Sequence, residues 1–166
     1  MGSSAFEASQ APGGHHHALA RLAGEWVGVS RVWFEPGAPS DESPIRGSIR
    51  PALGGRFMIH EYESALGGKP LQGMVLIGWH IDAKRYEMAW IDSFHTGSAI
   101  LFSTGAGDAG PLPNVLCHYG GHDGTPPWGW RTTIEQPDPD TLVLTAWNIE
   151  PDGPEAKATE IVYRRA

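Results

Sequence analysis

The chain has 166 residues, a formal net charge of −7 and a pI of about 5.5. This length fits one domain with a full core. The acidic balance argues against nucleic acid as a partner and against attachment to an anionic membrane surface, because both need a basic face. Cys117 is the only cysteine, so no internal disulfide forms, and no apolar run is long enough to cross a bilayer. We therefore expect a cytoplasmic protein.

The first segment, residues 1–14, is polar, small and interrupted by Gly and Pro. We predict a disordered lead-in there, followed by a single β-barrel domain over residues 15–166. Three adjacent histidines open the domain, but neighbouring side chains do not share one face. We interpret them as the first turn of a short N-terminal helix and not as a metal site.

Trp26 stands between Gly24 and Gly28 at the start of a strand-like run. Glycine permits a bend and a close approach of another backbone. An indole at this position is large enough to plug one end of a small closed barrel and exclude water from its base.

Short strand-like segments, joined by Gly, Pro and Asp turns, fill the rest of the chain. Strands joined by tight turns are antiparallel, and a long meander hides its edges by closing. The pattern predicts an all-β protein, an antiparallel up-and-down barrel of about ten strands, with a longer loop over residues 105–113. The predicted strands are 27–34, 45–52, 56–65, 71–81, 86–93, 97–104, 114–120, 128–136, 141–149 and 156–165.

The chain resembles the bacterial family catalogued as domain of unknown function 1579, whose members resemble the calycin barrels (lipocalins, fatty-acid-binding proteins and nitrobindins). The resemblance implies a calycin-like fold and no activity. In calycins an arginine of the last strand packs across the opening tryptophan, and Arg165 matches that place. The matching residues include Leu22-Ala23-Gly24-Glu25-Trp26, Leu53-Gly54-Gly55-Arg56-Phe57, Glu61-Tyr62, Gly68-Lys69-Pro70, Trp90-Ile91-Asp92-Ser93, Thr96-Gly97, Pro151-Asp152-Gly153 and Tyr163-x-Arg165.

Alternation along the strand over 86–93 places Met88, Trp90 and Asp92 on one face, which we expect to point inward because it carries the large aromatic residues. A buried carboxylate must be paired, hydrogen-bonded or protonated. Asp92 either anchors a polar group of a ligand or acts as a base, or else it caps a turn or pairs with Arg131 or Arg56. We favour the structural interpretation.

Met58, His60 and Tyr62 share one face of the strand over 56–65, and we expect that face to point inward as well. His60 would then meet Asp92 as a general acid–base pair. The alternative, which we favour, is a structural histidine with satisfied hydrogen bonds.

Three tryptophans and one histidine in the second half complete the predicted cavity wall: Trp128, Trp130, Trp147 and His118. The run from Cys117 to Asp123 also contains residue types that bind zinc or iron. Cys117 and His118 point to opposite faces of a strand, however, and no paired motif completes a site.

We predict a protein that binds a small, mostly apolar ligand in the barrel cavity, and we favour this over an enzyme. The predicted ligand-binding residues are Met58, His60, Tyr62, Met88, Trp90, Asp92, His118, Trp128, Trp130 and Trp147. One alternative is a cavity enzyme that uses Asp92 and His60, and another is a haem-binding barrel like nitrobindin. The last strand has no histidine to bind haem, so His118 would have to serve. We predict that the protein has no cofactor and no metal. Its predicted partner is a small hydrophobic molecule, and the sequence is compatible with a homodimer.

Overall fold

The computed structural model describes residues 2–105 and 110–166, and its ten strands form a closed antiparallel barrel. Each strand pairs with its neighbour in sequence, and the last returns to the first. The predicted up-and-down barrel and the short N-terminal helix are confirmed. Residues 106–109, within the predicted loop 105–113, lie outside the described residues. The elements are α1 (Gly2–Gln10), α2 (His15–Ala20), β1 (Gly24–Val32), β2 (Asp41–Ala52), β3 (Phe57–Leu66), β4 (Lys69–His80), β5 (Arg85–Asp92), β6 (Leu101–Thr104), β7 (Asn114–Tyr119), β8 (Trp128–Asp138), β9 (Thr141–Ile149) and β10 (Glu155–Arg165).

The segment expected to be a disordered lead-in contains helix α1. Ser9 Oγ is hydrogen-bonded to His16 Nδ1 at 2.8 Å, and the backbone N–H of His16 donates to the same oxygen. The ring of Phe6 packs edge-on against His16, with 4.8 Å between centroids, and the Arg56 guanidinium lies 4.3 Å from the Phe6 centroid. These contacts attach α1 to α2 and to the barrel, which composition alone does not indicate.

Strand β6 is shorter than the predicted strand over 97–104. The chain turns after β5, because the Asp92 carboxylate accepts hydrogen bonds from the backbone N–H groups of Phe94 and Thr96. This turn takes up the residues that were predicted to extend the strand. Strand β6 pairs with β7 through Thr104 and Leu116, which is the shortest register in the barrel.

Trp26 closes one end of the barrel and is fully buried. Its indole Nε1 donates to the carbonyl oxygen of Leu22 at 2.9 Å, and the Arg165 guanidinium lies 4.4 Å from the ring centroid. Trp26 lies opposite Arg165 in the pairing of β1 with β10. Two positions later, at Gly28, a β-carbon would collide with the Val162 carbonyl, so only glycine lets the two strands come this close. The predicted plug and its arginine cover are both confirmed.

The opposite end of the barrel is surrounded by the loops that follow β1, β3, β5, β7 and β9. Inward-facing side chains form one large buried cluster that begins at Leu19, Leu22 and Trp26 and continues toward this open end. A smaller cluster around Cys117 and Trp130 lies nearby. Neither helix in the described part of the chain has the length and apolar character needed to cross a membrane.

We expect Trp26→Ala to lower the free energy of unfolding by about 3–5 kcal/mol, the usual loss for a buried aromatic residue. Trp147→Ala is the matched control. Its ring lies on the outer face, 3.9 Å from the Arg131 guanidinium, and its loss should cost about 1 kcal/mol. Urea denaturation followed by circular dichroism measures both values. Equal losses would contradict the role of Trp26 as a plug.

Candidate functional site

A cavity of about 80 Å³ lies inside the barrel, between the cluster around Trp26 and the open end. Its walls are mainly apolar, with a few polar side chains among them, which is the usual make-up of a small-molecule site. The lining residues are Ser30, Val32, His60, Tyr62, Leu71, Val75, Met88, Trp90, Asp92, His95, Ser103, Trp130, Thr132, Leu144, Thr145, Ala146, Thr159 and Ile161.

The size of this cavity limits its contents. Drug-sized ligands occupy pockets of roughly 300–1,000 Å³, and an engineered apolar cavity of about 150 Å³ admits benzene. A cavity of about 80 Å³ therefore accepts a molecule of only a few non-hydrogen atoms. A larger ligand requires the loops at the open end to move.

One wall is aromatic. The rings of Trp90 and Trp130 are stacked, with 5.3 Å between centroids and 24° between planes. Trp90 Nε1 donates to the Tyr62 hydroxyl at 2.9 Å. Tyr62 fits because Gly73 lies opposite it on β4, where a β-carbon would collide with the Tyr62 ring and hydroxyl. The two strands thus hold the wall in one arrangement.

His60 is 1% exposed, and its Nε2 lies 2.9 Å from the Tyr163 hydroxyl. Burial lowers the pKa of His60 to about 4 and raises the pKa of Tyr163, so both groups are neutral at pH 7. The hydroxyl has no second partner in the described part of the chain, so its hydrogen is satisfied only if it donates to Nε2. His60 Nδ1 then carries the ring hydrogen, and this N–H is buried without a partner.

Asp92 pairs with His95, and the distance from Oδ2 to Nδ1 is 2.6 Å. Burial acts to raise the pKa of Asp92, but hydrogen bonds from His95 and from the backbone of Thr96 and Phe94 outweigh it, so the pKa is lowered. The ionised carboxylate accepts the hydrogen of His95 Nδ1, which leaves a bare lone pair on Nε2 in the neutral ring. His95 Nε2 is buried with no partner among residues 2–105 and 110–166.

Six predicted site residues line the cavity, namely His60, Tyr62, Met88, Trp90, Asp92 and Trp130. Met58 is buried in the large cluster and is not part of the lining. The predicted pair of Asp92 with His60 is not formed, because Asp92 binds the imidazole of the turn that follows its own strand, whereas His60 binds Tyr163.

Three predicted residues lie away from the cavity. His118 is exposed, because its neighbour Cys117 takes the inward position of β7. Trp128 is 39% exposed at the start of β8 and is not part of the cavity lining. Trp147 packs against Arg131 on the outer face, because Ala146 faces inward. The prediction that these side chains line the cavity is corrected accordingly.

His95 is the residue that the sequence analysis missed. Its side chain lies beside Trp90 and Trp130, at centroid distances of 5.6 and 5.9 Å. The sequence feature that points to His95 is Asp92 at the end of a strand, with Thr96 four positions later. An aspartate that caps a turn with one carboxylate oxygen leaves its second oxygen for a neighbouring side chain. The predicted strands leave residues 94–96 as a connecting turn, so the alternation of strands assigns His95 no face.

The described residues contain no group of three or more His, Cys, Asp or Glu side chains that could hold a metal ion. Cys117 is buried, and burial raises the pKa of its thiol. A protonated thiol is a poor metal ligand. The arrangement therefore offers hydrogen bonding and proton transfer, by His60, Asp92 and His95.

The sequence profile of a family described as a protein of unknown function (DUF1579) matches residues 11–165. The chain belongs to this family. The crystal structure of Rv2717c from M. tuberculosis shares the fold, with a TM-score of 0.59 at 16% identity over 94% of this chain and 98% of that chain. A de novo designed fluorescence-activating β-barrel aligns with a TM-score of 0.46 at 15% identity over 90% of this chain and 97% of that chain. No curated protein matches the chain.

The buried imidazole of His60 makes the stability of this DUF1579 barrel depend on pH. Its pKa is about 4 in the folded state against an ordinary value of 6.5, so the unfolded chain binds more protons between these values. The stability contribution is complete above pH 6.5 and is lost as the pH falls to about 4. A shift of this size corresponds to about 3 kcal/mol over the full window.

We expect His60→Gln to lose less stability than the wild type between pH 7 and pH 4.5, as measured by urea denaturation at several pH values. Tyr163→Phe is the matched variant, because it removes the hydroxyl partner but leaves the imidazole buried. Tyr163→Phe should have a lower free energy of unfolding at every pH. The decrease of that free energy between pH 7 and pH 4.5 should equal the decrease in the wild type. If His60→Gln and the wild type lose the same free energy of unfolding between pH 7 and pH 4.5, His60 is not the cause of the acid sensitivity.

Proposed function

We propose that this protein binds a small, mostly apolar molecule in the barrel cavity. The observation that carries the proposal is a cavity with a mainly apolar lining, one wall of which is formed by the stacked rings of Trp90 and Trp130. An unsatisfied buried polar group costs about 1–3 kcal/mol. Two lining residues carry such a group, His60 at Nδ1 and His95 at Nε2. Both nitrogens are closed off in this structure, so a ligand would relieve this cost only after the side chains around them move.

The polar part of the ligand follows from the same two nitrogens, once that movement exposes them. His60 Nδ1 offers a hydrogen, and His95 Nε2 offers a lone pair, as derived above from their fixed partners. A matching molecule accepts a hydrogen bond at one point and donates one at another. Its remaining surface is apolar, to match Met88, Leu144 and the tryptophan wall.

The open end has an apolar rim that suits an entering ligand of this kind. Phe34 and Phe94, from two different loops, are 66% and 51% exposed, and their ring centroids are 6.3 Å apart. Phe94 also packs edge-on against His95, at 5.0 Å. Movement of the turn that holds Phe94 would therefore open the cavity next to His95.

An acid–base enzyme that uses the same cavity is the second candidate function. The specific observation in its favour is the Asp92–His95 pair, which replaces the predicted pair of Asp92 with His60. The haem-binding alternative is not favoured, because His118, its candidate ligand, faces outward. A homodimer and a cytoplasmic location stay predictions.

Binding is testable without knowing the natural ligand, because the chain has only four methionines. Met88 lines the cavity, whereas Met74 is 38% exposed on the outer face and serves as an internal control. With ¹³C-methyl methionine and dissolved xenon, which enters apolar cavities, the NMR signal of Met88 should shift and that of Met74 should not. Native mass spectrometry of freshly purified protein would reveal a retained natural ligand.

The variant Ala146→Leu fills the cavity without removing a polar group, since Ala146 is 4% exposed and part of the lining. We expect Ala146→Leu to abolish the xenon-induced shift of the Met88 signal and the binding of any ligand that native mass spectrometry detects in the wild type. The free energy of unfolding should fall by less than about 1.5 kcal/mol. Val143→Leu, on the outer face of the same strand, should bind as the wild type does. Unchanged binding in Ala146→Leu would show that the ligand sits elsewhere.

A further inference from the structure

We propose that the outer face of strands β3–β6 is the contact surface for a second copy of this chain, in a two-fold symmetric dimer. The inference goes beyond ligand binding and does not depend on it, because this face lies on the outside of the barrel wall. Of the eleven large apolar side chains that are exposed in the described part of the chain, six belong to this face. They are Phe57, Met74, Leu76, Ile91, Ile100 and Phe102.

Strand pairing makes these side chains into one continuous patch with two neighbouring rows. The first row consists of Ile59, Leu76, Ala89 and Phe102, and the second of Met74, Ile91 and Ile100. Ile100 directly precedes β6, one position beyond the pairing of Trp90 with Leu101. Apolar residues that are scattered singly over a surface are ordinary, whereas a contiguous patch of several hundred Å² marks a contact site.

The area of the patch matches what a stable dimer needs. The six exposed side chains are between 37% and 71% accessible to water. With roughly 200 Å² for a fully exposed large apolar residue, these fractions leave about 500 Å² of apolar surface in contact with water. A standard interface buries about 800 Å² on each partner, and homodimer interfaces are about 65% apolar, so each copy must supply about 500 Å². This face alone therefore supplies the apolar part of a standard dimer interface.

The patch contains a groove with a volume of about 360 Å³. Its floor is low because Gly78 and Ala89 have small side chains, and Phe57 and Phe102 stand beside them on the neighbouring strands. A β-carbon at Gly78 would lie 2.9 Å from the Phe57 ring, so only glycine lets that ring lie against the sheet. The groove is therefore built by the choice of residues on adjacent strands.

A ridge runs beside this groove and consists of Met74, Ile91 and Ile100. Met74 and Ile91 also border a second depression of about 700 Å³, on the side away from the groove. A two-fold axis in the plane of contact, along the row of Leu76 and Ala89, would lay the ridge of each copy into the groove of the other. A two-fold interface requires a self-complementary surface of this kind, which favours a second copy as the occupant.

The distribution of charge also favours a second copy. The chain has a net charge of −7, so two copies repel each other wherever acidic faces meet. The glutamates next to the patch are paired with arginines, namely Glu61 with Arg50 at 3.8 Å and Glu87 with Arg85 at 2.7 Å. Arg56 and Asp82, which line the groove, have opposite charges. The face is therefore close to neutral, and it lacks the basic rim that an anionic lipid surface or a nucleic acid needs.

Sedimentation of the full chain at a series of concentrations measures the association directly. Between about 1 μM and 1 mM, we expect the average mass to rise from 17.9 kDa toward twice that value. Met74 lies on the ridge, so its ¹³C-methyl signal should shift over the same concentrations. Met88 lines the internal cavity, and its signal should stay where it is.

The variant Ile91→Lys tests the ridge, because burying an ammonium group in an apolar contact is costly. We expect its dimer Kd to rise at least about tenfold. Lysine makes the chain less acidic, so a loss of association cannot come from added repulsion between copies. Val27→Lys is the matched control, since Val27 is 40% exposed on β1 and Ile91 is 44% exposed, and its Kd should equal that of the wild type. Both variants should keep the xenon-induced shift of Met88, which shows an intact barrel.

The variant Ala89→Phe separates a specific fit from general apolar attraction. It adds apolar surface, so a merely adhesive face would associate more strongly. A groove that receives a ridge would instead be filled by the new ring, and we expect the dimer Kd to rise at least about tenfold. Ala65→Phe makes the same change on β3 outside the groove and should leave the Kd unchanged.

A mass of 17.9 kDa at every concentration would overturn the inference. Oligomers that grow beyond the dimer would overturn it as well, because a two-fold contact closes on itself. Equal dissociation constants for Ile91→Lys and the wild type would place the contact on another face, and tighter association of Ala89→Phe would rule out the contact of ridge with groove. The proposed ligand binding is tested separately, by the xenon-induced shift of Met88.

Discussion

Closure of the barrel through the pairing of β1 with β10 is the constraint on which the other features depend. Trp26 is opposite Arg165 in this register, and Gly28 is opposite Tyr163. The same pairing buries the indole, lays the guanidinium across it and directs the Tyr163 hydroxyl toward His60. A closed sheet has no free edge, and its inward side chains must fill a space that ten strands make slightly too wide. The small cavity is what remains of that space.

The cavity keeps polar groups in an apolar barrel because the walls are shaped around them. Two positions that face large polar aromatic side chains are glycines, Gly47 beside Tyr163 and Gly73 beside Tyr62. A side chain at either position would displace a hydroxyl that holds His60 or Trp90. The hydrogen-bond roles of the cavity are therefore set by residues on several strands, and no local segment decides them.

The open end is coupled to the cavity by one residue. Asp92 ends β5, caps the following turn with one oxygen and binds His95 with the other. Asp92 binds the backbone N–H of the rim residue Phe94 and the side chain of the next residue, His95. Any motion of this turn that admits a ligand therefore also affects the imidazole. An apolar rim, a fixed carboxylate and a buried imidazole thus form one continuous unit from surface to interior.

The sequence by itself determined the ten strands, the plug at Trp26, its cover by Arg165 and the inward face that carries Met88, Trp90 and Asp92. Alternation and turn chemistry are local properties, so they can be taken from neighbouring residues. Only the tertiary structure decided the partner of Asp92, the outward positions of His118 and Trp147, the docking of α1 and the size of the cavity. Trp147 could not be placed because both faces of β9 carry apolar residues, so its alternation is ambiguous. Partners and cavity volume depend on turn geometry and on the register between strands that are distant in sequence.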